Sequence, residues 1–302
     1  MSGKNTQGFF SEVVSGNSKR YTPKRCYQYE HQFEGQTERA VRDYMDSHKG
    51  PFDEHIATSI PTFRDIQVAT AAAVAKVYTG QDARVLDIGG SEGGWVKAIA
   101  QFADVGEAVC LDPNPDMEVA FGATDTPPGA VFERAAFLEG WDDIPAYNPP
   151  HKFDVVHESM TFQFIDDERG KKVAEVKRLL KPNGVFLTEE KFRFPEGVYR
   201  ANEVLKDTLH KSRYYDNEQL ATKAEKVLVG MKSGQADYEK YREILSSNFK
   251  HVREYWRAGN FRGFMASDDP AALARLEEAL EPITEGERYT YPIGGRGEHG
   301  NG

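Results

Sequence analysis

The sequence predicts an α/β fold with a mostly parallel sheet, and two observations carry that prediction. Short apolar segments typical of buried strands alternate with segments that have helical apolar spacing. The first strand also runs directly into a glycine-rich turn and a helix. Strands that are connected through helices lie parallel and have helices on both faces. The chain is therefore expected to form such a sheet, completed by an antiparallel hairpin.

Periodicity, apolar runs and Gly or Pro stop signals define each element. The first half predicts a helix over 63–78, a strand over 84–88, a helix over 95–102 and a strand over 107–111. The second half predicts a strand over 153–157, a helix over 168–180, a turn at 182–184, a strand over 185–188, a charged helical segment over 195–245 and two final strands over 251–257 and 261–266. The charged segment interrupts the strand-helix alternation, so we expect it to be a mobile lid over an acceptor pocket.

Three regions are expected along the chain. Residues 1–51 are polar, with aromatic side chains at no regular period, which is typical of an arm that is partly disordered or wrapped on the surface. Residues 52–267 carry the strand-helix pattern and form the main domain. Residues 268–302 begin with an acidic helix over 271–280 and end in a glycine-rich tail without a core signal.

Composition and charge restrict the classes of partner. The net charge of −10 makes the surface as a whole repel nucleic acid, so DNA and RNA are not favoured. Cys26 and Cys110 are the only cysteines, too few for a disulfide framework, and no cysteine or histidine spacing indicates a metal site. No apolar stretch is long enough to span a membrane. We therefore expect a cytoplasmic protein with a small-molecule ligand, and a homodimer is left open.

The chemistry is concentrated in residues 85–94, where a strand runs into several glycines. Glycine lets the backbone approach a ligand closely and adopt positive φ. Asp87, two residues before Gly89, would repel a diphosphate but suits a cofactor that carries an ammonium and a sulfonium group. Asp112 follows the second strand, where a carboxylate can accept hydrogen bonds from both ribose hydroxyls. The pair of features favours a cofactor site over a plain strand-to-helix connection.

These residues resemble a known family. The runs 87–94 and 111–117 look like motifs I and II of the class I S-adenosylmethionine (SAM)-dependent methyltransferases. A narrower resemblance, over residues 52–266, is to the carboxy-SAM synthase family of the tRNA wobble-uridine pathway. It is carried by Phe52-Asp53-Glu54, Ile60-Pro61-Thr62-Phe63, Thr161-Phe162-Gln163-Phe164-Ile165, Glu190-Lys191-Phe192 and Asn260-Phe261 with Gly263. That family converts SAM and prephenate into carboxy-SAM and phenylpyruvate.

The resemblance implies a Rossmann-like class I methyltransferase fold. Its features would be a mostly parallel seven-stranded sheet with helices on both faces, an antiparallel final hairpin and a helical insert. It also implies SAM as the cofactor. The residues implied to contact SAM are Phe63, Asp87, Gly89, Gly90, Ser91, Gly93, Asp112, Pro113, Ala136, Phe137 and Ser159.

One departure from the narrower family decides between two activities. Ala224 stands where that family uses an arginine to hold the extra carboxylate of carboxy-SAM. Lys223, Lys226 or Arg213 could supply a cation, but lysine lacks the planar bidentate fork that suits a carboxylate. Methyl transfer to a small-molecule acceptor therefore ranks first. Carboxy-SAM synthesis is the alternative, and a protein that binds SAM or a partner without turnover is the second alternative.

Candidate residues for chemistry lie at a strand end and in the helical insert. His157 and Glu158 end a central strand, where ligands bind in open parallel sheets. His157 could act as a catalytic base, although a histidine hydrogen-bonded inside the cofactor pocket is at least as well supported. Arg213, Tyr214 and Lys223 are candidate acceptor-binding residues.

A basic group in the same insert has two interpretations. Its members are Lys206, His210, Lys211 and Arg213. They could bind a substrate anion, but charge on a helix is usually solvated surface, and the sequence favours that second interpretation.

Overall fold

A mixed sheet organises the part of the chain that the computed structural model describes, namely residues 36–138, 152–165, 168–225 and 234–280. Its strands are Arg84–Ile88 (β1), Glu107–Leu111 (β2), Ala130–Glu133 (β3), Phe153–Ser159 (β4), Leu180–Arg193 (β5), Ala236–Asp237 (β6), His251–Ala258 (β7) and Phe261–Ser267 (β8). Along the sheet the order is β3-β2-β1-β4-β5-β8-β7, and β6 pairs with β5 beside this path. The predicted mostly parallel sheet of seven main strands is confirmed, with the two-residue β6 in addition.

Helices surround this sheet. They are Gln36–Ser47 (α1), Pro51–Ser59 (α2), Phe63–Tyr78 (α3), Gly94–Phe102 (α4), Pro115–Ala123 (α5), Arg169–Leu179 (α6), Glu196–Leu209 (α7), Asn217–Glu225 (α8), Tyr238–Asn248 (α9) and Pro270–Ala279 (α10), with 3₁₀ turns at Phe162–Phe164 and Lys211–Arg213. Within these described residues no helix has the length and apolar character that a membrane crossing requires.

Strand register brings the carboxyl ends of the central strands to one edge. β1 is parallel to β2 and β4, with Ile88 opposite Leu111 on one side and Glu158 on the other. Glu158 in turn lies opposite Thr188 of the parallel β5. The order reverses at β1, where the chain crosses from the β2 side to the β4 side, and open α/β sheets bind ligands at such a point. The predicted antiparallel hairpin is formed by β7 and β8.

Helix α3 is the centre of one half of the core. Its run of small side chains allows neighbouring helices to approach closely, and α1, α4 and α10 all pack against it. The apolar residues of α3 that are buried are Ile66, Val68, Ala69, Ala71, Ala72, Ala73, Val74, Ala75 and Tyr78. Such burial matches the prediction of a helix over these residues.

Helices α1 and α10 belong to this core. Val41 and Met45 of α1 are buried in the same cluster as Leu273 and Leu276 of α10. Part of the predicted polar arm, residues 36–47, is therefore a helix that packs on the core through Val41 and Met45, with Tyr44 partly buried beside them. The remaining parts of the predicted arm and tail, 1–35 and 281–302, lie outside the described residues.

The predicted lid has two different parts. Helices α7 and α8 lie beside the cavity described below, as expected for an insert over a pocket. Helix α9 does not, because Tyr241 and Leu245 are fully buried and the helix packs against α6 and the sheet. The prediction of one lid over 195–245 is thus wrong at its C-terminal end. The many charged residues of α9 obscure its narrow apolar face in the sequence pattern.

Apolar periodicity misses α2, α5 and β3. The helices have nine residues each and the strand four, which is too short for a clear period. Proline at the start of each helix and the Asn114 side chain, which accepts from the Asp116 N–H at 2.9 Å, are the local signals. β5 ends at Arg193, beyond its predicted end at residue 188. The predicted turn at 182–184 lies inside β5, where the register of the pairing with β4 shifts.

Candidate functional site

A cavity of about 850 Å³ lies at the carboxyl ends of β1, β2, β4 and β5. This volume falls inside the range of roughly 300–1,000 Å³ typical of small-molecule sites. Its walls come from the glycine turn after β1, the ends of β2 and β4, helices α2 and α3, and the insert that contains α7 and α8. These elements meet at the topological switch point and form one site.

The turn after β1 has a backbone that requires glycine. Gly89 has φ +69° and Gly93 has φ +75°, in the left-handed region that side chains with a Cβ avoid. A Cβ at Gly89 would lie 2.2 Å from Thr161 Oγ1, and one at Gly90 would lie 2.7 Å from Cys110 Sγ. The Gly89 N–H donates to Leu111 O at 2.7 Å. The turn is therefore held tightly against β2, with its backbone exposed to the cavity.

Asp112 is tied to that turn by hydrogen bonds. Its Oδ2 accepts from the Ser91 N–H at 3.2 Å, and its Oδ1 accepts from the Asn114 N–H at 2.9 Å. Burial raises the pKa of Asp112, and these two backbone bonds oppose the rise. Each carboxylate oxygen keeps a further lone pair for a ligand hydroxyl. The arrangement fits a carboxylate that is fixed in place to accept from a ribose.

His157 lies buried between two carboxylates. Its Nδ1 is 2.8 Å from Asp87 Oδ1 and its Nε2 is 3.5 Å from Glu189 Oε2, while its ring stacks on Trp95 with 4.3 Å between centroids. Burial alone would lower the pKa of His157, but the two carboxylates raise it to about 10. A histidine that is protonated at neutral pH has no lone pair for a substrate proton. The geometry supports the second interpretation of His157, a residue held inside the pocket, over that of a base.

Glu158 does not line the cavity. Its Oε1 accepts from the Thr161 N–H at 2.8 Å and the Phe162 N–H at 3.0 Å, and its Oε2 accepts from Thr188 Oγ1 at 2.7 Å. These bonds fix the turn that follows β4. The geometry therefore supports a structural role for Glu158 and gives no support to a catalytic one.

An apolar wall lies next to Asp112. Leu111, Pro113, Ala136 and Phe137 line it, and the Phe137 ring stacks on Phe162 with 5.8 Å between centroids. Flat apolar surfaces of this kind suit the ring of a nucleoside. These residues form the side of the cavity on which an adenine fits beside a ribose held by Asp112.

Asp53 of α2 is a cavity residue that the sequence prediction does not include. Its carboxylate lies at the first turn of α4, 2.9 Å from where a Cβ of Gly94 would stand. Burial raises the pKa of Asp53 to about 6, with Arg64 opposing the rise and Glu92 adding to it. Asp53 belongs to one of the motifs that carry the family resemblance, so a signal existed. A carboxylate at this position suits the ammonium group of an amino acid.

Three buried lysines form a wall of the cavity, and we call Lys191, Lys206 and Lys211 the lysine cluster. Their exposed fractions are 5%, 4% and 3%, although each lines the cavity. The prediction that Lys206, His210 and Lys211 are solvated surface is wrong, because side chains of α7 bond to Lys191 of β5 and to Asn260, next to β8, and these residues are buried. The bond from Asn202 Nδ2 to Asn260 Oδ1, at 2.9 Å, is one of the contacts that hold the helix there.

Two carboxylates on α7 neutralise part of the lysine cluster. Glu203 Oε2 accepts from Lys191 Nζ at 2.8 Å and from Lys206 Nζ at 2.6 Å. Asp207 Oδ1 lies 3.2 Å from Lys211 Nζ and 3.8 Å from Lys206 Nζ. Burial and the neighbouring charge of Lys206 together lower the pKa of Lys191 to about 7 and that of Lys211 to about 8.

The remaining predicted residues divide between the cavity and its surroundings. Phe63, Ser159 and Lys223 line it, with Lys223 Nζ 4.3 Å from the centre of the Tyr215 ring. Those that do not line it are Gly93, Arg213 and Tyr214, of which Tyr214 is half-exposed. Lys226, a further predicted cation, lies outside the described residues. Across the four described ranges, no group of three or more His, Cys, Asp or Glu side chains is placed to hold a metal ion.

Comparison with known proteins agrees with this geometry. Residues 85–184, about a third of the chain, match the family model described as a methyltransferase domain. The match spans β1 to the first part of β5 and includes the glycine turn, Asp112 and His157. No curated protein matches the chain significantly.

Several solved structures are similar to the chain at low identity. The plantazolicin methyltransferase BpumL in complex with SAH is 10% identical with a TM-score of 0.49, covering 78% of this chain and 100% of that one. The putative methyltransferase complexed with the Haloferax volcanii Trm112 activator is 17% identical with a TM-score of 0.46, covering 77% and 97%. An arsenic(III) SAM methyltransferase from Chlamydomonas reinhardtii is 17% identical with a TM-score of 0.46, covering 75% and 71%.

The strand order, the antiparallel final hairpin and the glycine turn after β1 are those of the Rossmann-like class I methyltransferase fold. The family-model match over residues 85–184 lies within this fold and covers its cofactor half.

Proposed function

We propose that this protein is a SAM-dependent methyltransferase that acts on a small-molecule acceptor. The observation that supports this best is the hydrogen bond between the Ser91 N–H and Asp112, which joins the glycine turn to the ribose-type carboxylate on one cavity wall. The turn also fits a bound cofactor, because its backbone borders the cavity and a Cβ at Gly89 would collide with Thr161. A cofactor held by backbone contacts needs such a surface.

Each end of SAM has a matching group in this site. Asp112 would accept from the ribose hydroxyls, and the wall formed by Ala136 and Phe137 would hold the adenine. Asp53 and the carboxylate of Asp87 would face the ammonium group. When bound, SAM supplies a methyl group that its sulfonium makes electrophilic. The chain then contributes position and exclusion of water, which are the main requirements for a direct displacement.

His157 and Glu189 have a supporting role in this proposal. His157 holds Asp87 through Nδ1, and Glu189 lies beside the other ring nitrogen of His157. Gln67 Nε2 donates to Glu189 Oε2 at 2.7 Å, and Tyr255 Oη donates to Glu189 Oε1 at 2.7 Å. These bonds satisfy the Glu189 carboxylate, which is fully buried. The set keeps the acidic floor of the site in one conformation.

The proposal is tested by binding and then by turnover. Mass spectrometry of the ligand that co-purifies should show SAM or S-adenosylhomocysteine (SAH). Protein incubated with SAM and the low-molecular-weight fraction of a cell extract should release SAH, and the Asp112→Ala variant should release far less. If wild-type protein binds SAM but no extract fraction supports SAH release, the protein is a non-catalytic SAM-binding protein instead.

Carboxy-SAM synthesis is the second candidate. Ala224, at the position of the expected arginine, is buried and supplies no cation, yet four lysines line the cavity and one of them could face a carboxylate on the transferred carbon. We rank this activity second because lysine lacks the bidentate geometry of arginine, and Arg64, the arginine that lines the cavity, lies on α3 with its Nε 3.4 Å from Asp46 Oδ1 and not at the position of Ala224. Incubation with SAM and prephenate decides between the two: release of phenylpyruvate would place the synthase reaction first.

A further inference from the structure

When all three lysines are protonated, the lysine cluster carries one more positive charge than its own two carboxylates balance. Three ammonium groups face two carboxylates, and two of the ammonium groups share the single oxygen Glu203 Oε2. The cluster is nearly excluded from bulk solvent. In such a buried environment an unbalanced charge is costly unless a counter-charge is present. A network that served the fold alone would be expected to balance itself. Here the three lysines line the cavity.

We propose, on the basis of the methyltransferase function proposed above, that the lysine cluster binds a carboxylate of the acceptor. A single negative charge completes the balance, and the three ammonium donors are the groups that face it from β5, α7 and the 3₁₀ turn. Lys223 also lines the cavity and adds to the positive field on this side.

The surroundings of the lysine cluster indicate the body of this acceptor. The Phe261 ring centre lies 5.6 Å from Lys191 Nζ and 6.0 Å from Lys206 Nζ. Phe261 belongs to an apolar cluster whose other cavity-lining members are Ile56, Ile60, Phe63 and Met160. A carboxylate beside an apolar wall matches a carboxylic acid with an aromatic or aliphatic body better than it matches a sugar phosphate.

Binding of an anion here should be accompanied by proton uptake. The pKa values of Lys191 and Lys211, about 7 and 8, are low because burial and neighbouring cations disfavour their charged forms, and a bound carboxylate raises both. The other charged or titratable groups that face the cluster are Glu203 and Asp207 as anions, Lys206, Arg213 and Lys223 as cations, and Tyr199, His55 and His210. Burial lowers the pKa of His210 to about 4, so His210 is neutral in the range tested.

The test compares two ligands that differ in charge alone. Phenylacetate and its uncharged isostere phenylacetamide are titrated by calorimetry into wild-type protein saturated with SAH, at pH 7.0. Phenylacetate should bind at least about tenfold more tightly, since charged hydrogen bonds contribute that much or more. Repeating the phenylacetate titration at pH 8.0 in triethanolamine and in Tris, cationic buffers with different ionisation enthalpies that do not compete for an anion site, should reveal proton uptake on binding.

Variants assign the effect to the cluster. Lys191→Gln and Lys211→Gln should each remove most of the preference for phenylacetate. Lys181→Gln is the matched control, because Lys181 lies at the other end of β5, paired with Asp154 at 2.7 Å and outside the cavity. It should keep the full preference. Comparing SAM with carboxy-SAM by the same method tests whether the carboxylate belongs to the cofactor instead.

The outcomes separate this inference from the proposed function. Absence of SAH binding would contradict the function itself. If SAH binds but phenylacetate and phenylacetamide bind equally, or neither binds at millimolar concentration, the acceptor-carboxylate site is wrong while the function stands. Inorganic phosphate binding more tightly than phenylacetate, or a cluster-dependent preference for carboxy-SAM over SAM, would equally overturn it. The wild-type ligand comparison decides even where a glutamine variant fails to fold.

Discussion

Asp87 and His157 are register partners on adjacent parallel strands, and their side chains form a buried ion pair with 2.8 Å between Oδ1 and Nδ1. The pair lies on the floor of the cavity, and Glu189 of β5 approaches the other ring nitrogen. Three neighbouring strands are thus joined by one imidazolium. It follows that the acidic residue in front of the glycine turn owes its position to a histidine that is seventy residues further along the chain.

Replacing His157 tests this relationship. His157→Gln removes the cation between two buried carboxylates, and breaking a buried ion pair in this way costs roughly 3–5 kcal/mol of unfolding free energy. We expect a loss of that size at pH 6 in urea denaturation. A variant as stable as wild-type protein would contradict the assignment of His157 as the imidazolium of the floor.

The stabilisation by His157 should also depend on pH. The folded-state pKa of His157, about 10, lies above the ordinary value of 6.5, so its stabilising contribution is fully present below about pH 6.5 and is lost as the pH rises through about 10. The difference in unfolding free energy between wild-type and His157→Gln should therefore shrink from pH 7 to pH 10. A difference that stays constant over this range would mean that His157 is not titrating as the geometry requires.

The glycine turn gives a second prediction. Gly89→Ala places a Cβ at φ +69° and against Thr161, so we expect a loss of about 1–2 kcal/mol from the backbone alone, a further loss from the clash, and weaker SAH binding. Gly170→Ala is the control, since Gly170 lies in helix α6 with no atom within 4 Å of its Cβ position. It should leave SAH affinity unchanged and stability equal or slightly higher. Thermal unfolding and calorimetry measure both effects.

Hydrogen exchange tests the division of the predicted lid. Helices α7 and α8 border the cavity, whereas α9 packs on α6, so SAM and acceptor should slow exchange in residues 196–225 and leave residues 238–248 unaffected. The second segment serves as the internal control. Equal exchange rates in 196–225 with and without ligand would show that this segment is rigid scaffold.

Local sequence was sufficient to predict most of the sheet. The strands over 84–88 and 107–111 and the helix over 63–78 have the predicted bounds, because their side chains are buried on all sides and leave continuous apolar patterns. Helix α1 and strand β3 could not be predicted in this way. Only Val41 and Met45 of α1 are buried apolar residues of the core, and the residues of β3 are only partly buried.

Some residues of the candidate site could be predicted from local sequence, and others could not. The glycine turn and Asp112 were found because each lies next to a strand end in the sequence, and both line the cavity. For Lys206 and Lys211 the sequence predicts solvated surface, because their burial depends on contacts made only in the fold. Lys191 reaches Glu203 from another element, and no period in α7 distinguishes a buried lysine from an exposed one.

Calorimetric titration of SAH into wild-type protein and Asp112→Ala tests the central claim most directly. Asp112 would accept from the ribose, and leaving those hydroxyls and the Ser91 N–H without their acceptor costs about 1–3 kcal/mol, so the variant should bind SAH roughly five- to 150-fold more weakly. Asp116→Ala removes an exposed carboxylate of the neighbouring helix α5 and should bind SAH as wild-type protein does. Equal affinity of wild-type and Asp112→Ala protein, or no SAH binding by wild-type protein, would contradict the cofactor site.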